Sequence, residues 1–484
     1  MTAMARPETA RRPPSGTAVE VAAHVPGQAS EKGWPSDPKW LRAARRRAAA
    51  WVDSYGFPTT KHEDWRYTKL DAVLAVPLGT PPEGAADDGP AWVSSGDLRA
   101  PQLGGSRVVV MNRQVVPELS AIGVLLPGGV RIESMAGALQ VDDGRLERSW
   151  LWRGGGYPHA LRALNDAAAL DAVVIDLPAG TFVEDPIEVV FVSMPIDAAR
   201  WWHPRIVVVA GAGSRATLVE TYLSEPGGSS VTNALTQVDL GAGAELVHYV
   251  LQAESTDSFH FSSLEARLAN HSRLSSRLLA TGGRIGRHDV VLAGEGAELA
   301  VDGLFLAGAG QHHDNPVLVA NAALAVRAAS SNKEVVSGDG HGVFNGHLVV
   351  RPGSDGTDAA QVNKNLLLSE RAEVDTRPRL EINADDVACS HGAAVGQLDP
   401  DALFYLRARG VPEHQARAVL VSGFAWEVLD RFGSGPIRQR AEQLAAAAGL
   451  MALDDNRDGP EANSAVTAGA ADALGGGPPP GASG

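Results

Sequence analysis

Between about residues 170 and 395 the chain repeats one device: a short β-branched run, then a cluster of small residues containing glycine. Ile206-Val207-Val208-Val209 leads into Gly211-Ala212-Gly213, and Gln237-Val238-Asp239-Leu240 into Gly241-Ala242-Gly243-Ala244. Val290-Val291-Leu292 precedes Gly294-Glu295-Gly296-Ala297, and Leu304-Phe305-Leu306 precedes Gly308-Ala309-Gly310. Where the breaks align they fall roughly 25 to 30 residues apart, a period in the range of repeat architectures. The pattern describes a strand, a tight corner and another strand, stacked repeatedly. Glycine suits the corners, which need positive φ and close backbone approach. No long helical segment separates the strands, which argues against a doubly wound α/β fold. A β-solenoid or β-helix is favoured over a sandwich.

Helical signals flank this region. Residues 1–35 are rich in Pro, Ala, Ser and Gly without periodicity and are expected to be a disordered tail. A helical N-terminal segment and linker follow over 36–105. Asp37 is expected to cap its first helix, with Pro38 at the first helical position. Trp40, Leu41, Ala44, Ala48 and Trp51 share one face of that helix, which Gly56 and Pro58 stop. The β core is assigned to 106–398 and a C-terminal helical domain to 399–450. There Asp399 and Pro400 open a helix that Gly410 closes. A second helix is expected from about Pro412 to Phe432, with Ala416, Val419, Leu420, Phe424, Val428 and Leu429 as its apolar stripe, and a third from Pro436 to Leu450. The tail 451–484 is again expected to be disordered.

Composition removes several classes of function. Lys and Arg number 42 against 57 Asp and Glu, a net charge of −15, and no lysine face is clustered. Nucleic acid is therefore not an expected partner. No run reaches the roughly 18 apolar residues of a membrane span, and the N-terminus has no apolar signal core. A single cysteine excludes an intramolecular disulfide and fits a reducing compartment, so a cytoplasmic location is expected. None of the six lysines stands in a Gly-Lys-Ser/Thr context, so any ATP hydrolysis belongs to another chain.

The sole cysteine, Cys389, lies two positions from His391 in DDVACSHG, just before the Asp399 cap. A thiol and an imidazole on alternate positions suit a soft metal or sulfur chemistry. One thiol cannot complete a tetrahedral cluster or zinc site, which needs about four ligands. Strand alternation places both residues on one face.

Several motifs, taken in order, carry a resemblance. They are EDWRY at Glu63 to Tyr67, TGGRIGRHDVVLAGEGAELAVDGLFLAGAGQHHDN at Thr281 to Asn315 and FNGHLVV at Phe344 to Val350. QVNKNLLLSERAEVDTRPRLEI at Gln361 to Ile382 completes the set. Over about 40–435 the chain resembles the SufB/SufD family of scaffold subunits in Suf iron–sulfur cluster assembly. The resemblance implies a mainly β fold: a right-handed parallel β-helix core flanked by N-terminal and C-terminal α-helical domains. It also implies a non-catalytic scaffold that pairs with SufB at the end of the β-helix and docks the SufC ATPase through C-terminal helices. A transient iron–sulfur cluster would be shared with SufB, and a flavin in the complex is left open. Gly392 stands where SufB-like chains carry a glutamate, which together with the single cysteine favours the SufD side. The stretch after His312-His313-Asp314 departs from the family pattern, lacking a histidine near Asn321 and an aromatic-Lys-Gly near Lys333.

His391 is the residue that the resemblance implies at the SufB–SufD interface, with Cys389 the weaker ligand, since an isolated cysteine is often a small buried hydrophobe. Phe404, Tyr405, Arg407, Arg409, Phe424 and Trp426 supply the aromatic and arginine side chains enriched at protein interfaces, one helical face packing inward and the other gripping the ATPase. Trp65 and Tyr67 are expected to anchor the N-terminal helices, with Glu63 or Asp64 pairing with Arg66. His312 and His313 point to opposite sides of a strand and are expected at a solvated corner. Two alternatives of different class are a β-helix carbohydrate-active lyase or hydrolase, and a homodimer formed when the chain is alone.

Overall fold

The computed structural model describes residues 37–77 and 103–449, apart from 113, 122–125, 142–143, 153–156, 195–199, 226–228, 295 and 322–323, and apart from the side chains of 127, 288–294 and 321. Both expected disordered tails and most of the proposed linker lie outside the described residues. The helices are α1 (Lys39–Tyr55), α2 (Asp71–Leu74), α3 (Met135–Val141), α4 (Arg145–Leu151) and α5 (Ala160–Ala168), then α6 (Pro400–Ala408), α7 (Glu413–Leu429) and α8 (Pro436–Ala447).

Between them the chain winds as a parallel β-solenoid of about seven turns. From Arg205 onward successive long strands alternate between two facing sheets. Arg215–Ser224, Glu245–Ala253, Arg273–Ala280, Glu298–Ala307, Arg327–Val336, Thr357–Leu367 and Val387–Gln397 stack in the first sheet. Val231–Leu240, Phe259–Leu268, Ile285–Gly294, His312–Asn321 and His341–Val350 stack in the second. Arg215, Glu245, Arg273, Glu298, Arg327 and Asp358 are successive register partners, so the repeat steps through 30, 28, 25, 29 and 31 residues. Leu218, Leu246, Leu274 and Leu299 from one sheet meet Val238, Leu264, Phe344 and Leu348 from the other in the buried core.

The corners show both reasons for glycine. A Cβ on Gly211 would lie 2.5 Å from the Ala179 amide nitrogen of the preceding corner, so the first glycine permits stacking. Gly213 and Gly243 adopt φ of 68° and 66°, so the second permits the left-handed turn. At two corners a non-glycine takes that conformation: His271 at φ 58° and Ala325 at φ 53°.

Helices α3–α5 interrupt the stretch that the sequence assigns to the β core. Ala48, Ala49 and Val52 of α1 pack with Leu161 and Leu164 of α5 and with Trp65. Arg162 of α5 is fully buried and fastens this layer to the solenoid. It donates to Glu265 at 2.6 and 2.9 Å and to Asp166 at 2.8 Å. Asp37 does not cap α1. Its carboxylate accepts from Arg45 Nε at 2.8 Å, and the Pro38 carbonyl serves the first turn instead.

The acids of EDWRY also go elsewhere than expected. Glu63 pairs with Arg377 and Arg379, and Asp64 with Arg379 at 2.8 Å, so the segment straps the last turns of the solenoid. The reason is geometric: the single 3-10 turn Glu63–Trp65 presents its acids to the sheet, whereas Arg66 lies against the Tyr67 ring. Trp65 is buried beneath the Arg287 guanidinium, 3.8 Å from its ring centre.

His312 and His313 do point to opposite sides, but in a strand and not at a solvated corner. His313 is buried near Phe305, and His312 bonds Thr68 and His341. His313 turns into the core, and the N-terminal segment partly covers His312 through Thr68.

Across the solenoid α7 and α8 pack Val421, Ala425, Val428, Leu429, Ala441 and Ala445 on the outer face of the first sheet, against Leu251, Leu304, Leu306 and Val335. Val419, expected in that stripe, faces solvent, and Val421 and Ala425 take its place because the helix rotates to meet the sheet. Lys333 pins the contact, donating to the Phe424 carbonyl at 2.7 Å and to Glu427 at 2.6 Å. Among the described residues no helix is long and apolar enough to cross a membrane.

Candidate functional site at the open end of the solenoid

The final strand, Val387–Gln397, pairs with Thr357–Leu367 on one side and with no described strand on the other. Eleven residues of backbone therefore form an open edge. Parallel register sets Val387, Cys389, His391, Ala393 and Val395 beside Thr357, Ala359, Gln361, Asn363 and Asn365. Those five neighbours are all buried. Gln361 points into the lumen, since a Cβ on Gly346 of the opposite sheet would lie 2.2 Å from its Oε1. The inward set of the last rung thus begins where the lumen ends.

Among the described residues no further rung covers this set. His391 and Val395 are exposed, while Cys389 is half-buried against the end of the core with Val387 and Leu380. The structure therefore brings Cys389 and His391 together on one face, at the mouth of the rod. Their chemistry differs. Burial, followed by the charge of Asp358, pushes the Cys389 thiol above its ordinary pKa, which keeps it protonated near neutrality. The imidazole stands in solvent. Gly392 and Gly396 alternate with these residues, and a Cβ at either would meet nothing within 4 Å. The chain's own packing does not demand glycine at these positions.

The six aromatic and arginine residues divide into two groups. On α6 no residue is buried, and Phe404 and Tyr405 are 71% and 55% exposed. Arg409 lies 4.3 Å over the Tyr405 ring, and Arg407 pairs with Glu413 at 3.4 Å. Asp399 holds the start of this helix by accepting from the Asp401 amide at 2.9 Å. Phe424 and Trp426 sit instead within the packed bundle, each against a cation: Lys333 at 4.4 Å and Arg438 at 4.0 Å from the ring centres.

Sequence reasoning missed one polar cluster. On the outer face of the second sheet the donor atoms of His341, Glu373 and Asp375 lie within 4.8 Å of one another. His312, His341 and Glu373 are successive register partners, so writing the repeats beneath each other would have aligned them.

Two family profiles match the chain in order. The SufBD protein N-terminal region matches residues 35–189, and the SufBD core domain of SUF system FeS cluster assembly matches residues 194–424. The iron–sulfur cluster assembly protein SufD of Escherichia coli is 28% identical over 394 residues, spanning 80% of this chain and 88% of that protein. SufD of Bacillus subtilis is 25% identical over 419 residues, 84% and 93% of the two chains. An iron–sulfur cluster assembly SufBD family protein of Synechocystis is 27% identical over 410 residues, 82% and 89% of the two. With both regions matched in sequence around the solenoid just described, the chain belongs to the SufBD family of iron–sulfur cluster assembly proteins.

Proposed function

We propose that this chain is the SufD-type scaffold subunit of a cluster assembly complex, completing a shared building site with a SufB-type sister subunit. The observation that carries this reading is the uncapped last rung. A long open strand edge invites pairing with another chain, and soluble proteins normally cover such edges. Here the edge is left bare with an imidazole on its lumen side. Pairing with a sister strand would extend the sheet through main-chain hydrogen bonds and place His391 in a seam between two subunits. Thiolates from the sister would supply the soft ligands that one partly withdrawn cysteine cannot. The cluster is then cargo, built in the seam and released, and the scaffold needs no catalytic residues of its own.

A SufC-type ATPase would dock on α6. Its exposed Phe404 and Tyr405, with Arg407 and Arg409 beside them, form the aromatic and arginine patch typical of an interface centre. Phe424 and Trp426 support that patch from within the bundle, through α7 and Lys333. ATP-driven movement of α6 could then reach the last rung through the short connection at Leu398–Asp399.

The test is anaerobic co-expression with sister and ATPase subunits, comparing wild type with His391→Ala. The expected result is an intact complex whose bound iron and acid-labile sulfide fall severalfold, with flavin assayed in parallel. Undiminished iron and sulfide in the variant complex would remove His391 from the site. Recovery of the chain only as a homodimer would refute the pairing itself.

A further inference from the structure

The cluster on the outer face of the second sheet is wired in one direction. Asp314 is paired with Arg287 and so acts as a hydrogen-bond acceptor. The Thr68 hydroxyl donates to Asp314 at 2.5 Å, which commits its only proton. Its oxygen must then accept from His312 Nε2–H, 2.9 Å away. Nδ1 of His312 lies 3.1 Å from Nδ1 of His341, so the two rings are hydrogen-bonded to each other.

The second nitrogen of the His341 ring is Nε2. It faces the Asp375 carboxylate at 2.9 Å, with the exposed Glu373 adjoining. The donor atoms of these three side chains converge within 4.8 Å of one another. A metal-bound histidine commonly donates its other ring N–H to a fixed partner, which sets tautomer and orientation. Here the chain from His341 through His312 and Thr68 to Asp314 supplies that partner. One imidazole and two carboxylates suit a borderline divalent ion, bound at about 2.0–2.2 Å with water filling the other positions. His341 and Asp375 are each about a quarter exposed, so an ion can enter.

We propose that His341, Glu373 and Asp375 form a mononuclear site for a divalent first-row transition ion, with His312 and Thr68 as positioning residues that hold Nε2 of His341 toward the ion. The site is separate from the cluster seam, since it contains no thiol and lies on the outer face of the other sheet.

The experiment is titration of the metal-free full chain with Co²⁺, read by its visible d–d absorption and by equilibrium dialysis. The wild type is expected to bind one ion per chain. Glu373→Gln with Asp375→Asn should weaken binding at least tenfold without altering the far-ultraviolet circular dichroism. Thr68→Val touches no ligand and should weaken it about 10-fold through the loss of tautomer control. Equal Co²⁺ affinity in wild type and the Glu373/Asp375 variant, or no binding by the wild type at submillimolar Co²⁺, would overturn the assignment. So would a Thr68→Val variant that binds as the wild type does, which would remove the positioning role.

Discussion

Glu334 provides a quantitative test of the solenoid lumen. Its side chain is fully buried, and neither carboxylate oxygen has a hydrogen-bond partner among the described residues. The opposite sheet makes room for it with Gly342, where a Cβ would lie 2.0 Å from Oε2. Burial, reinforced by the charge of Asp314, raises this carboxyl from 4.5 to about 8. The folded protein therefore keeps the proton over a range in which the unfolded chain releases it. Stability is unaffected by this group below pH 4.5 and falls as pH rises toward 8. The loss is about 1.4 kcal/mol per pH unit and reaches roughly 5 kcal/mol above pH 8. Glu334→Gln keeps the shape and removes the ionisation. In urea unfolding followed by tryptophan fluorescence, the variant should gain about 3 kcal/mol on the wild type between pH 5.5 and 7.5. Parallel pH profiles for the two proteins would show that the carboxyl is neither dry nor shifted, and the argument for a closed lumen at this rung would fail.

Two further outcomes follow from geometry elsewhere. Phe404→Asp with Tyr405→Ser alters two exposed side chains on a helix that buries nothing, so the chain should fold with unchanged thermal stability and lose co-purification of the ATPase subunit; retention of that subunit would exclude α6 as the docking surface. Ala325→Gly relieves a left-handed residue at a corner, at φ 53°, and should raise stability by about 0.5–1 kcal/mol in denaturant titration, whereas the same change in a strand would lower it.

The repeat was legible because each corner imposes the same local demand. Gly211 and Gly241 must be small for stacking, and Gly213 and Gly243 must turn left-handed, so the requirement is written into every step. The start of α6 was equally local, with Asp399 and Pro400 acting within one turn. What escaped depends on residues brought together by winding. Glu63 reaches Arg377 across 314 positions, and nothing near Glu63 distinguishes that partner from Arg66. The choice of Val421 over Val419 in the buried stripe is set by how α7 meets the sheet, which its own periodicity does not fix. His341, Glu373 and Asp375 come from two separate rungs, so no short spacing announces them. At the candidate seam the pair Cys389 and His391 was visible as an alternate-position motif, but their openness was not, since it arises from the absence of a following described strand.

Amide hydrogen exchange across Val387–Gln397 tests the shared-seam reading most directly. In the isolated chain, the amides of this strand that point away from Thr357–Leu367 should exchange freely. On assembly with the SufB-type subunit they should slow by about tenfold or more, as the edge acquires a partner strand. Unchanged exchange at those positions in a verified complex would mean that the subunits meet elsewhere, and that His391 faces no seam.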